Sequence, residues 1–132
     1  MDERIRKFLE SPAFGVVGAS TNRQKYGNKV LRCYLQHGMT VFAVNPRAAE
    51  IEGVLSVPSV AELPAEVKSI SVITPPKITE ETVREAAAKG VENVWMQPGA
   101  ESAAAIDFCR ENGINVIGDG SCILVSLGYS DH

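Results

Sequence analysis

The sequence lacks the features that mark several large classes of proteins. Its 132 residues include three cysteines, Cys33, Cys109 and Cys122, which are too far apart for a CxxC metal site and too few for a disulfide framework. No apolar run approaches the length of a membrane span, and the charged N terminus has no apolar segment typical of secretory signals. We therefore expect one cytoplasmic domain, residues 1–132, with no metal site and no membrane contact.

Acidic residues are missing from one long segment, although the formal net charge of the chain is −3. Between Glu10 and Glu50 there is no Asp or Glu, and the basic residues of this segment are Arg23, Lys25, Lys29, Arg32 and Arg47. Clustered positive charge attracts an anionic ligand. A short basic segment in an acidic chain favours a small polyphosphate and disfavours a nucleic acid. A solvated surface with a chance distribution of charge is the alternative.

A catalytic set is also missing from the sequence. No Ser-His-Asp or Cys-His arrangement can be assembled, and the carboxylates lie mainly on predicted helix surfaces. His37 precedes Gly38, which is expected to end a helix, and a structural role at that helix terminus is the simpler interpretation. We therefore predict no catalytic residues and a protein that is not an enzyme.

Short apolar runs alternate with amphipathic segments along the whole chain. The predicted strands are residues 14–18, 41–44, 69–73, 93–96 and 114–117. The predicted helices are residues 2–10, 27–36, 79–89 with Thr79 as the cap, and 102–112, with a helical turn at 59–63. This alternation predicts a three-layer α/β fold, in which a five-stranded parallel sheet carries helices on both faces. Ligands of such folds bind outside the carboxyl ends of the strands.

The loop after the first predicted strand has the composition of a phosphate site. The segment "FGVVGASTNRQKYGNKV", residues 14–30, combines glycines with short polar side chains and with two cations, Arg23 and Lys25. Gly18 permits close approach of a ligand to the backbone, and the following helix directs its N-terminal N–H groups toward the same place. The spacing is neither G-x-G-x-x-G nor G-x-x-x-x-G-K-[ST]. Ordinary turn chemistry is the alternative explanation.

The end of the second predicted strand narrows the choice of ligand. It reads Asn45-Pro46-Arg47, with no acidic residue before Glu50, whereas NAD binding requires an acidic residue there for the ribose hydroxyls. An arginine suits a ribose that carries a phosphate. NADP and coenzyme A both meet this condition, and the spacing of the first loop disfavours NADP.

Four motifs in order resemble a known family: "VVGAS" followed by "KYG", then "AVNP", "TPP" and "WMQPGAES". They are similar to those of the small stand-alone CoA-binding domain proteins, relatives of the N-terminal CoA-binding domain of the succinyl-CoA synthetase alpha subunit. The resemblance covers about residues 14–122 and implies a Rossmann-like fold with five strands. One departure follows the last strand, where many relatives have "MDRCP". Here Gly120 and Ile123 replace the arginine and the proline.

The resemblance implies that the protein binds coenzyme A, or an acyl-CoA, without catalysis. The loop at 18–27 would contact the pyrophosphate, Asn45 to Arg47 the adenosine and its 3′-phosphate, and Thr74 to Pro76 the adenine or the start of the pantetheine arm. The predicted binding residues are Gly18, Ala19, Ser20, Thr21, Asn22, Arg23, Lys25, Tyr26, Gly27, Asn45, Pro46, Arg47, Thr74, Pro75, Pro76, Lys77, Gln97 and Gly99.

Three interpretations remain open from the sequence. The alternatives to a CoA-binding protein are an NADP-dependent oxidoreductase-like domain and a protein-interaction module with a vestigial pocket.

Cys122, after the last predicted strand, is interpreted as a small buried apolar side chain, with a position near the thiol of bound CoA as the alternative.

Overall fold

The computed structural model describes residues 2–131 and contains one sheet of seven strands. The strands are β1 (Ala13–Val17), β2 (Val41–Val44), β3 (Glu50–Ile51), β4 (Val54–Val57), β5 (Val67–Val72), β6 (Asn93–Met96) and β7 (Asn115–Ile117). The helices are α1 (Glu3–Leu9), α2 (Tyr26–Gln36), α3 (Pro76–Lys89), α4 (Ala103–Glu111) and α5 (Ile123–Leu127), with a short 3-10 turn at Val60–Glu62.

The sheet is mostly parallel, as the alternation of strands and helices predicts. Its order is β3-β4-β2-β1-β5-β6-β7, and only the β3–β4 pair is antiparallel. The predicted number of five strands is wrong because β3 and β4 were not predicted. β3 has two residues and β4 has four, with Ser56 inside it, so neither gives a clear apolar run. Together they extend the sheet beyond β2.

One helix starts more than one residue from its predicted start, and one helix was not predicted. Pro75 occupies the N-cap position of α3, which begins three residues earlier than predicted. Pro76 is the first residue of the helix. Proline is tolerated at this position because the N–H group that it lacks would have no partner there. Thr79 is therefore not the cap but a buried residue inside the helix, and its hydroxyl oxygen lies 2.8 Å from that of Thr74. α5, directly after Cys122, was not predicted at all.

Apolar side chains on the two faces of the sheet pack against different helices. On one face, Ile70, Val94 and Met96 belong to a cluster with Val83 of α3 and Cys109 of α4. On the other, aromatic side chains of α1, α2, β1 and β6 form the cluster Phe8, Phe14, Tyr34 and Trp95, in which neighbouring rings are 5.0–5.7 Å apart between centroids. The predicted placement of helices on both faces is confirmed.

Two cysteines lie on helices, Cys33 on α2 and Cys109 on α4. Cys33 and Cys109 are buried, and burial raises the pKa of each thiol to about 11. In residues 2–131, no helix is long and apolar enough to cross a membrane.

A buried hydrogen bond joins α2 to β5 and provides a stability test. The hydroxyl oxygens of Tyr34 and Ser71 are 2.7 Å apart and both residues are fully buried. We predict that Tyr34→Phe lowers the free energy of unfolding by about 1–2 kcal/mol, because the Ser71 hydroxyl is then buried without this partner. Urea denaturation of Tyr34→Phe, Ser71→Ala and the double variant measures the effect. The double variant should lose less than the sum of the singles, and strict additivity would show that the bond contributes nothing.

Candidate functional site

Four cavities open side by side at the edge of the sheet where the parallel strands end. The loop cavity, about 500 Å³, is lined by Gly18, Ala19, Ser20, Lys25, Tyr26, Gly27, Asn45 and Ile73. The strand-2 cavity, about 330 Å³, adjoins it through Gly18, Ala19 and Asn45. On the other side, the Cys122 cavity, about 300 Å³, shares Tyr26 and Ile73 with the loop cavity. The Pro98 cavity, about 280 Å³, shares Gln97 and Pro98 with the Cys122 cavity. The four form one groove.

Two glycines of the β1–α2 loop are required by the protein's own packing. Gly18 has φ of +92°, and a Cβ atom there would lie 2.3 Å from the Ile73 carbonyl oxygen. A Cβ atom on Gly27 would lie 2.1 Å from the Gly18 carbonyl oxygen. The first turn of α2 therefore packs directly on the end of β1, with no space for a side chain between them.

The N terminus of α2 is suited to an anion. Its first turn contains no acidic residue, and Lys25 at the N-cap position makes no side-chain cap, since an ammonium group cannot accept a hydrogen bond. Lys25, Tyr26 and Gly27 all line the loop cavity. N–H groups at a helix N terminus and a neighbouring cation together favour a phosphate group.

Asn45 joins the loop after β2 to the loop after β1. Its side-chain Nδ2 donates to the Ala19 carbonyl oxygen at 2.9 Å, and its Oδ1 accepts from the backbone N–H groups of Arg47 at 2.7 Å and Ala48 at 3.2 Å. Because both ends of the amide are engaged, Asn45 fixes the wall between the loop cavity and the strand-2 cavity.

A polar network lies beneath the same loop, and sequence reasoning did not find it. Asn28 Nδ2 donates to the Ser20 carbonyl oxygen at 2.9 Å and to Glu52 Oε2 at 3.1 Å. The buried Arg32 donates to Asn28 Oδ1 at 2.7 Å and to the Arg23 carbonyl oxygen at 2.9 Å. The i, i+4 spacing of Asn28 and Arg32 is the only sequence signal for this network, because Glu52 comes from the β3–β4 turn.

The five cations of the acid-free segment do not share one cavity. Arg23 forms an ion pair with Glu52, and Asp131 pairs with both Lys29 and Arg32. Lys25 lines the loop cavity, and Arg47 is exposed after β2. Part of the positive charge therefore contacts carboxylates of the chain itself.

Most of the predicted binding residues line the groove. Besides those of the loop cavity, Pro46 lines the strand-2 cavity, and Pro75 and Gly99 line the Pro98 cavity. Thr74 lines the strand-2 and Pro98 cavities, and Gln97 lines the Cys122 and Pro98 cavities. The remaining predicted residues are exposed and outside the lining of these four cavities: Thr21, Asn22, Arg23, Arg47, Pro76 and Lys77.

Several lining residues were not predicted. The strand-2 cavity also contains Pro58, Ser59 and Val60 from the segment after β4, and Ile78, Glu81 and Glu85 from α3. The first three are brought there by the pairing of β4 with β2, which the sequence did not indicate, and the other three by the packing of α3 beside the 3-10 turn. Among residues 2–131, no group of three or more His, Cys, Asp or Glu residues could hold a metal ion.

Gln97 organises the far end of the groove. This buried side chain accepts from the Ile123 N–H group through Oε1 at 2.9 Å, and its Nε2 donates to Cys122 Sγ at 3.3 Å. Cys122 itself is half-buried and lines a cavity, so it is not the fully buried apolar side chain that we expected. Asp119 corresponds to the aspartate of the relatives' "MDRCP" motif, and it accepts a hydrogen bond from the Arg4 guanidinium at 2.7 Å.

Comparison with known proteins identifies relatives that match most of the chain. The sequence model of a family described as CoA binding domain matches residues 13–128. A conserved hypothetical protein from Pyrococcus furiosus has 40% sequence identity and a TM-score of 0.82, and the match covers 86% of this chain and 97% of that one. A hypothetical protein from Pyrococcus horikoshii has 31% identity and a TM-score of 0.87, with 95% and 88% covered.

One curated relative is much longer than this chain. The alpha subunit of ADP-forming acetate–CoA ligase II from Pyrococcus furiosus is 34% identical over 122 residues, which are 84% of this chain. The chain spans 27% of the length of that subunit.

The contacts of Glu52 predict a pH-dependent stability. Hydrogen bonding from Asn28, together with Arg23, holds the pKa of this carboxyl below its usual value, although partial burial opposes the shift. A carboxyl whose pKa is lowered in the folded state stabilises the protein at pH values above its unfolded-state pKa of about 4.3. This stabilisation is lost as the pH falls through the folded-state pKa. We predict that Glu52→Gln costs about 1 kcal/mol at pH 7 and that this deficit shrinks by pH 3.

Urea denaturation across that pH range measures the effect. Glu50→Gln removes an exposed carboxylate two residues away and is the control. A deficit for Glu52→Gln that stays constant with pH would contradict the assigned role of its charge.

Proposed function

The chain belongs to the CoA binding domain family, and on this premise we propose that it binds coenzyme A in the groove along the carboxyl edge of its sheet. The observation that carries the proposal is the position of the loop cavity. It lies over the uncapped N terminus of α2 and opens on each side into a further cavity. Such a groove suits a long ligand whose charged group lies in its middle.

The pyrophosphate of coenzyme A is assigned to the loop cavity. The N–H groups of the first turn of α2 and the Lys25 ammonium group are the donors available there. Hydrogen bonds between a cation and a phosphate are about twice as strong as neutral ones. Gly18 and Gly27 add no side chain that would keep a phosphate away from the backbone.

The adenine base is assigned to the strand-2 cavity. Its lining includes apolar side chains such as Val44, Val60 and Ile78, beside the carboxylates of Glu81 and Glu85. A carboxylate repels a phosphate but accepts a hydrogen bond from the exocyclic amino group of adenine. The 3′-phosphate is therefore assigned outside this cavity, beside the exposed Arg47.

The pantetheine arm is assigned to the opposite side of the loop cavity. Ile73 follows β5 and Gln97 follows β6, and these strands are neighbours in the sheet. An arm that passes Ile73 and Thr74 crosses from β1 toward β6, over two steps of roughly 4.8 Å each. The thiol end then lies near Gln97 and Cys122.

We propose binding without catalysis and without a metal ion, in the cytoplasm. The ligase activity in the name of the Pyrococcus furiosus subunit belongs to a protein almost four times as long as the matched region. The residues that line the groove are mainly apolar or amide side chains, which position a ligand and do not transfer protons at neutral pH.

A panel of nucleotides tests this proposal directly. We predict that coenzyme A at a hundredfold excess over its Kd raises Tm by roughly 5–10 °C. NADPH is the informative comparison, because its 2′-phosphate would also suit Arg47. A larger shift with NADPH than with coenzyme A would favour an oxidoreductase-like domain. No shift with coenzyme A, NADPH, NADH or ATP would favour an interaction module and overturn the proposal.

A second prediction concerns Arg47 and the 3′-phosphate. Arg47→Ala should weaken binding of coenzyme A by roughly three- to tenfold, the range expected for an exposed charged contact, and should leave dephospho-CoA unaffected. Isothermal titration calorimetry with both ligands measures this difference. Arg110→Ala, which removes another exposed cation from the C-terminal end of α4, is the control. Equal losses for the two ligands would remove Arg47 from this role.

A further inference from the structure

The Cys122 cavity differs from the rest of the groove in its chemistry. Its five lining residues are Tyr26, Ile73, Gln97, Pro98 and Cys122, none of which is Asp, Glu, Lys or Arg. The side chains of Tyr26, Ile73 and Pro98 provide apolar walls from three different elements of the fold. The loop cavity, by contrast, contains Lys25, and the strand-2 cavity contains two glutamates.

This cavity also contains a buried hydrogen-bond donor. Gln97 is 3% exposed, and its Oε1 is engaged by the Ile123 N–H group. Its Nε2 group has two N–H donors, and within residues 2–131 one hydrogen bond, to Cys122 Sγ at 3.3 Å, involves this nitrogen. Sulfur is a weak acceptor, so a carbonyl oxygen in the cavity would be a better partner for this amide.

We infer that the Cys122 cavity binds the acyl group of an acyl-CoA, with Gln97 Nε2 donating to the thioester carbonyl oxygen. This inference rests on the proposed function, because the pantetheine arm must first occupy the neighbouring part of the groove. The Cys122 cavity shares Tyr26 and Ile73 with the loop cavity, so the end of the arm reaches it without leaving the protein surface.

The size and the lining define the acyl group. Apolar cavities of about 150 Å³ take up a benzene molecule, and this one has about 300 Å³. An unbranched aliphatic acyl group of roughly four to six carbons, together with the thioester, is suited to such a space. The absence of charged lining residues disfavours an acyl group that ends in a carboxylate, because burying an unpaired charge is costly.

Titration calorimetry of the unmodified protein with four ligands tests the inference. The ligands are coenzyme A, butyryl-CoA, succinyl-CoA and S-butyl-CoA, a thioether without the carbonyl oxygen. Each buried methylene group contributes roughly three- to fourfold in affinity. Butyryl-CoA should therefore bind at least about tenfold more tightly than coenzyme A. S-butyl-CoA should bind with an intermediate affinity, and succinyl-CoA no more tightly than coenzyme A.

A pair of variants places the acyl group in the cavity. Cys122→Leu fills the space and should abolish the preference for butyryl-CoA over coenzyme A. Ser126→Leu adds the same side chain at an exposed position of α5 and should keep the preference. Circular dichroism verifies that both variants are folded. If Cys122→Leu does not fold, the ligand series on the unmodified protein decides alone.

The outcomes separate the inference from the proposed function. Failure of the unmodified protein to bind coenzyme A overturns both. Binding of coenzyme A with equal affinity for butyryl-CoA overturns the acyl site alone, as does a preference that survives in folded Cys122→Leu. Succinyl-CoA binding as tightly as butyryl-CoA overturns the assignment of an uncharged acyl group. Equal affinities for butyryl-CoA and S-butyl-CoA overturn the role of Gln97.

Discussion

Gly27, in the first turn of α2, packs directly on the carbonyl group of Gly18 at the end of β1, and the rest of the groove is arranged around this contact. It fixes where α2 begins, and so it fixes the direction of the N–H groups that face the loop cavity. The loop that joins Gly18 to Gly27 therefore has to leave the end of β1 and lead into α2 within a few residues. Ser20 and Lys25, near the two ends of this loop, line the cavity.

The buried polar network keeps that loop in place. Asn28 and Arg32 lie one helical turn apart on α2, so both project toward the underside of the loop and hold the carbonyl groups of Ser20 and Arg23. Buried polar groups are retained in a fold when each has a partner, and this network satisfies that condition with Glu52 and Asp131. The basic segment therefore has a scaffolding role as well as any role toward a ligand.

The sequence predicted the central part of the fold well because strands buried on both faces are continuous apolar runs. β2 and β6 have the predicted bounds, and β1 and β5 differ from the prediction by one or two residues at each end. The edge of the sheet was missed because β3 and β4 are short and are stabilised by pairing with each other and with β2. α5 was missed because it has five residues and is held by long-range contacts, namely the packing of Ile123 in the core and the hydrogen bond from its N–H group to Gln97.

The candidate site was predictable to the extent that it consists of loops after strands. Gly18, Asn45 and Gln97 were found because the carboxyl ends of parallel strands meet at one edge. Val60 of the 3-10 turn was not, since only the pairing of β4 with β2 brings it to the strand-2 cavity, and Ile78 and Glu81 were not, since the packing of α3 against that turn is a tertiary contact. The pairing of Arg23 with Glu52 likewise joins residues that no local pattern connects.

The two-residue strand β3 has a consequence for how copies of the protein behave at high concentration. A long unpaired strand at the border of a sheet is a template for aggregation, since another chain can add to it through main-chain hydrogen bonds. Here β3 turns back antiparallel onto β4 and offers only Glu50 and Ile51, while β7 at the opposite border has three residues. Short edge strands disfavour the growth of a fibril-like ladder, and at one of the two borders the short edge comes from the segment that was not predicted from the sequence.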